Sequence, residues 1–201
     1  MCPSGRHTER EVNTNMKIKD MLLTGIFAAL VIISSYVVIP IGPVPHSLQP
    51  FAVMLSGFIL GPKLGALSII TWIVLGSLGL PVFNQGQSGI AMLAGPTGGF
   101  ILSFVVVAYL SGYFTRKYYS EAFTGNFLYL ALTMVICYII GGLGFKLSFA
   151  YFLQKPMTWE KTFILAIAPF LPFDIIKAAM ASYLGVKIRR ALVQAGQIAK
   201  N

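Results

Sequence analysis

Charge is what this sequence of 201 residues most lacks: Lys, Arg, Asp and Glu together make up 10% of it. A soluble domain usually carries about 25%. Hydrophobic residues reach 56% and the mean hydropathy is +0.77, which excludes a disordered chain and sets aside a soluble one. Cysteine is scarce too. Cys2 and Cys137 lie far apart, the second inside an apolar stretch, so no disulfide framework is implied. His7 and His46 have no His or Cys cluster around them, so no metal site is expected. The chain has no Gly-rich Walker loop, no His-Glu-x-x-His and no Gly-x-Ser-x-Gly. Any nucleotide hydrolysis would therefore reside in another chain, and no enzyme is expected. The net charge of +9 sits mostly at the chain ends and in one short loop. It reads as membrane orientation rather than nucleic-acid binding.

What remains is apolar chain in blocks: Met21–Ile41, Pro50–Gly61, Lys63–Leu80, Thr97–Thr115, Phe127–Phe152 and Thr162–Val186. A straight span needs about 20 apolar residues. The block Pro50–Gly61 is short, so it either turns at Gly61-Pro62 as its own helix or fuses with the next block. The distribution of cations favours the first reading. With six helices and the amino terminus inside, Lys63, Arg116, Lys117, Lys187, Arg189, Arg190 and Lys200 all fall on the cytoplasmic side. The loops 42–49 and 81–96, which contain no Lys, Arg, Asp or Glu, then fall outside. The expected fold is all-α, a six-helix polytopic membrane domain over 17–195 with both termini cytoplasmic. Residues 1–16 are expected to form a disordered tail, and 196–201 a carboxyl-terminal one. The first block is too long for a signal-peptide core and reads as an uncleaved span.

Both external loops are rich in Gly, Pro, amides and hydroxyls. The first reads Gly42-Pro43-Val44-Pro45-His46-Ser47-Leu48-Gln49, and the second runs from Pro81 through Asn84-Gln85-Gly86 to Gly98-Gly99. Glycine allows close approach of backbone to a ligand, and amides pair with a neutral polar group without a net charge to desolvate. Asp174 and Lys177, three apart on one helix face, lie inside the last apolar block. Ionisable groups there are costly, and face a cavity, a ligand or each other. Pro172 suits a first helical position, which would put Asp174 in the opening turn. Lys146 is a third intramembrane charge, either an anion partner or an ammonium reaching for the interface. Tyr138, Tyr151, Phe173, Trp72 and Trp159 are read as packing or interface anchors, with Tyr138, Tyr151 and Phe173 also candidate pocket walls. The first block carries small residues four apart in two registers, Thr24 with Ala28 and Gly25 with Ala29. Such pairs let another helix approach closely.

Gly42-Pro43-Val44-Pro45-x-Ser47-Leu48-Gln49, Gly79-Leu80-Pro81-Val82-Phe83, Gly95-Pro96-Thr97-Gly98-Gly99-Phe100 and Pro172-Phe173-Asp174-x-x-Lys177 together resemble the BioY biotin transporters, over roughly residues 17–190. These are S components of energy-coupling factor (ECF) transporters. The segment Asn84–Gly89 departs from the family's mostly small residues. The resemblance implies a cell-membrane protein, without a cofactor, that binds biotin with high affinity. It implies partners too: a transmembrane coupling protein, met through Thr24, Gly25, Ala28 and Ala29, and two ATP-binding subunits. The site it implies comprises Gln49, Phe83, Asn84, Gly98, Gly99, Asp174 and Lys177. Biotin joins a neutral ureido ring and an apolar thioether ring to one carboxylate. On that chemistry Lys177 is expected to take the carboxylate and Asp174 the ureido N–H groups, with Asp174 as orienter of Lys177 the open alternative. Gln49, Asn84 and the Gly98-Gly99 backbone would add polar contacts. An S component for another small vitamin is the alternative function, and a non-transport intramembrane protein a more distant one.

Overall fold

The structure is a computed structural model, and it describes residues 18–39 and 46–195. Both terminal tails and the Gly42–Pro45 part of the first loop lie outside those residues. In chain order the elements are α1 (Ile18–Tyr36), β1 (Val38–Ile39), β2 (His46–Ser47), α2 (Gln49–Leu60) and α3 (Pro62–Ser77). Then come α4 (Ala91–Ala94), α5 (Gly98–Tyr118), α6 (Phe123–Tyr151), α7 (Trp159–Ala166) and α8 (Leu171–Gln194). A single 3-10 turn covers Asn84–Gly86. The fold is all-α apart from the two-residue antiparallel ribbon, in which Val38 pairs with Ser47 and Ile39 with His46.

α2 is the hub. Every residue from Gln49 to Leu60 is buried, and α1, α3, α5 and α8 pack around it. The outer helices turn large apolar side chains outward, among them Ile26, Leu128, Ile139 and Ile176. A helix that is apolar on its outer face as well as its inner one belongs in lipid. α1, α5 and α6 are each long and apolar enough to cross a membrane. α2 and α3, with 12 and 16 residues, reach only about 18 and 24 Å at 1.5 Å per residue. Both are apolar.

The choice between a turn and a fusion at Gly61-Pro62 is resolved by glycine. Gly61 has φ +84°, a conformation that side chains rarely tolerate, and Pro62 opens α3. The two helices fold back on each other, so that a Cβ on Gly65 would lie 2.7 Å from the Gly57 Cα. α5 crosses at the same level: a Cβ on Gly57 would meet the Ala108 carbonyl at 2.1 Å, and one on Gly112 the Gly61 carbonyl carbon at 2.4 Å. The last apolar block behaves otherwise. The sequence pattern predicts one helix over Thr162–Val186, but the segment is broken into α7 and α8, which meet at 52°. Pro169 lacks the N–H that a continuing helix would need, and Pro172 restarts the helix as its second residue.

α5 and α6 run antiparallel. Gly99 touches Gly144 at one end, and the Thr115 and Tyr129 hydroxyls meet at 3.0 Å at the other. Tyr138 beside Asp174 and Ser182 beside Phe123 show the same for α6 and α8. One end of the bundle therefore gathers the starts of α2, α5 and α8 with the finishes of α1, α3 and α6. The cations Lys63, Arg116, Lys117, Lys187, Arg189 and Arg190 lie at the opposite end.

Candidate ligand-binding site

The starts of α2, α5 and α8 and the finish of α6 enclose a cavity of about 110 Å³. A water needs roughly 10–15 Å³ by this measure, so a small organic molecule has room. Its walls are largely aromatic and aliphatic: Trp72, Phe100, Phe104, Met134, Phe145 and Phe170. The Trp72 indole N–H donates to the Val82 carbonyl at 2.8 Å, so its ring is fixed.

The polar groups converge on α8. Asp174 lies in its first turn, where exposed amides favour a carboxylate, and Lys177 one turn later reaches back to its Oδ1 at 2.7 Å. The Tyr138 hydroxyl donates to Oδ2 at 2.5 Å. All three residues are buried and line the cavity. One Lys177 N–H is engaged by Asp174, which leaves the other two for a ligand. The two charges meet each other directly, as one ion pair on the cavity wall.

Gln49 and Asn84 also line the cavity, and each brings a buried polar atom without a partner, Gln49 Nε2 and Asn84 Oδ1. Gln49 Oε1 is held by the Ser47 hydroxyl at 3.0 Å, which aims the amide. Unpartnered buried donors and acceptors are uncommon in native proteins, and here one of each borders a cavity.

The remaining sequence candidates lie elsewhere. Phe83 is fully buried behind Trp72, edge to face at 5.2 Å. It fits only because Gly76 has no Cβ, which would lie 2.4 Å from its ring. Gly98 sits against the Leu93 carbonyl, and Gly99 forms the α5–α6 crossing with Gly144. Their neighbours Pro96, Thr97 and Phe100 reach the cavity instead. Lys146 does not line it, and its ammonium lies 4.3 Å over the Trp159 ring. His46 is buried against Phe170, with ring centroids 4.2 Å apart. On α1, Thr24 and Ala28 face the bundle, whereas Gly25 and Ala29 are exposed, and a Cβ on Gly25 would meet nothing. Among the described residues no group of His, Cys, Asp or Glu could hold a metal. The sequence reads Trp72 as a packing or interface anchor, Cys137 as part of an apolar block and Thr97 as part of the Pro96-Thr97-Gly98-Gly99 element. Nothing local marks Trp72 or Cys137 as cavity-lining, because many residues of apolar blocks share their helix-face positions.

The chain matches the model of the BioY family over residues 8–194. It is 36% identical to a probable biotin transporter BioY of Pyrococcus horikoshii over 174 residues, covering 87% of this chain and 98% of that one. To the biotin transporter BioY of Thermotoga maritima it is 35% identical over 179 residues, covering 88% and 99%. A crystal structure of the S-component for biotin from an ECF-type ABC transporter superposes with a TM-score of 0.76 at 28% identity, covering 88% of this chain and 95% of the other. An all-α membrane fold, an amphiphilic cavity and these likenesses agree: the chain belongs to the BioY family.

Proposed function

We propose that this chain is the biotin-binding S component of an ECF transporter and mediates biotin uptake across a prokaryotic cell membrane. The observation that carries the proposal is the Asp174–Lys177 pair, anchored by Tyr138, on the wall of a cavity bordered by the unpartnered Gln49 Nε2 and Asn84 Oδ1. Such a chamber suits a small, mostly apolar molecule with one neutral polar ring.

The pair engages the ureido ring. Asp174 and Lys177 cancel each other, and a neutral ring keeps the sum at zero. A ligand carboxylate against them would leave a net negative charge in an apolar enclosure, which is costly. Asp174 accepts from a ureido N–H while Lys177 donates to the ureido oxygen, with Gln49 and Asn84 completing the ring's partners. The thioether ring and tail lie against Trp72, Phe104 and Met134, and the carboxylate points to the rim. The cavity end faces outward, and α1, α2, α3, α5, α6 and the bent α7–α8 pair make six crossings. The cations at the opposite end support this orientation. The exposed Gly25–Ala29 register of α1 meets the coupling protein, which in turn joins two ATP-binding subunits.

Equilibrium binding of radiolabelled biotin to detergent-purified protein tests the reading. Retention at nanomolar-class concentration is expected, and retention of a different vitamin instead would overturn it. The assignment of ends is tested by Lys177→Ala with biotin and biotin amide. Equal weakening of both supports the ureido contact, whereas sparing of the amide alone would move Lys177 to the carboxylate.

A further inference from the structure

The charges at the cavity end are few and uneven. From residue 64 to 115 the sequence contains no Lys, Arg, Asp or Glu, and neither does 21–62, so α2, α4, the finishes of α1 and α3 and the start of α5 bring no charge to this end. Among the described residues, and apart from the internally neutral Asp174–Lys177 pair, the charge at this end lies between Lys146 and Lys161. Those groups are Lys146, Lys155, Glu160 and Lys161, a net of +2. This segment is the finish of α6, its connector and the first turn of α7. It is tied to the cavity at both ends, since Phe145 and Ala166 line the wall. Lys155, Glu160 and Lys161 are exposed. The Lys146 ammonium is held over Trp159, the first residue of α7, rather than buried in the bundle. The turn itself is fixed, with Thr158 Oγ1 accepting from the Lys161 N–H at 3.3 Å and the Lys155 N–H donating to the Phe149 carbonyl at 2.9 Å.

We infer that the α6–α7 connector is an electrostatic collector that draws an anionic ligand, carboxylate outermost, to the cavity mouth. This rests on the biotin reading. That reading leaves the carboxylate at the rim with no cation of its own inside. A like-signed field on one side of an otherwise uncharged mouth raises encounter rate rather than residence time. Its reach is about a Debye length, roughly 30 Å at 0.01 M salt and 8 Å at 0.15 M.

The test is stopped-flow association followed by tryptophan fluorescence, with Trp72 in the cavity wall as the reporter, on purified full-length protein. In the triple variant Lys146→Gln, Lys155→Gln and Lys161→Gln, the net charge of +2 becomes −1. The association rate for biotin at low salt is expected to fall about fourfold, for three unit charges acting over roughly 10 Å in water. The dissociation rate and the association rate of biotin amide should stay unchanged. Glu160→Gln, an exposed substitution that does not threaten the fold, is expected to raise the biotin rate at low salt and to do nothing for the amide. A biotin rate independent of salt in the unaltered protein, or equal changes for biotin and its amide, would overturn the inference while leaving the binding function intact. Absence of equilibrium biotin binding would overturn both.

Discussion

The two ends of this bundle are made from the same helices and treat polar groups in opposite ways. At the basic end, glycine brings backbones into contact, with Gly57, Gly65 and Gly112 meeting around the α2–α3 turn. The hydroxyls there are satisfied by each other and by their own helices. Ser111 meets Thr133, Thr115 meets Tyr129, and Tyr129 donates to Asn126, which is bound to the Ser120 and Ala122 carbonyls. At the other end Gly99 still meets Gly144, but beside that crossing large rings line a cavity, and Gln49 and Asn84 keep polar atoms unpartnered. Close contact and complete pairing give rigidity, and a gap with incomplete pairing gives a site. The difference is one of side-chain volume, since small residues let helix backbones approach closely, as Gly57 does against the Ala108 carbonyl.

Substitutions can break this contrast. The largest effect is expected from Gly57→Val, whose added carbon would strike the Ala108 carbonyl. A loss of about 3 kcal/mol or more, seen as failure to fold in detergent, is beyond ordinary overpacking because the obstacle is backbone. Gly25→Ala, on the open face of α1, should leave the melting temperature unchanged and serves as its control.

Asp174→Asn comes next. It leaves Lys177 buried beside a neutral group, a change worth about 3–5 kcal/mol of stability. The double substitution Asp174→Leu with Lys177→Met should recover most of that loss in thermal unfolding while abolishing ligand retention. Recovery of stability together with retained binding would mean that the pair is structural only.

Gln49→Leu is a smaller perturbation with a telling sign. Removing an amide whose buried Nε2 has no partner offsets the loss of its one bond from Ser47, so stability should stay about level, while ligand affinity falls by about 1–3 kcal/mol for a lost contact. Measured side by side, binding would then fall while thermal unfolding holds. At the basic end the same kind of change should act only on stability. Tyr129→Phe removes one hydroxyl from a paired series and should cost about 1 kcal/mol with no effect on binding.

Much of the candidate site could be read from residue chemistry. Asp174 and Lys177 stood out because charge in an apolar block is expensive, and Gln49 and Asn84 because amides in uncharged loops invite a polar partner. Trp72 and Cys137 could not be found this way. Apolar and weakly polar residues fill both cavity walls and lipid-facing surfaces, and nothing local distinguishes the two. Gly98 and Gly99 show the converse. Their glycine signal was real, but it marked close contacts with Leu93 and Gly144 rather than the lining of a cavity.

The membrane setting, the helical class, the turn at Gly61-Pro62 and the separation of cations from the glycine-rich loops are all legible in the order of residues. These follow from composition and local backbone preference, which act over a few residues. Packing settled that Asp174 and Lys177 pair beside Tyr138, that the last block bends between α7 and α8, and that Gly25 rather than Thr24 faces outward. Each of these depends on which helix lies opposite, and that is set by the packing of chain segments far apart in sequence.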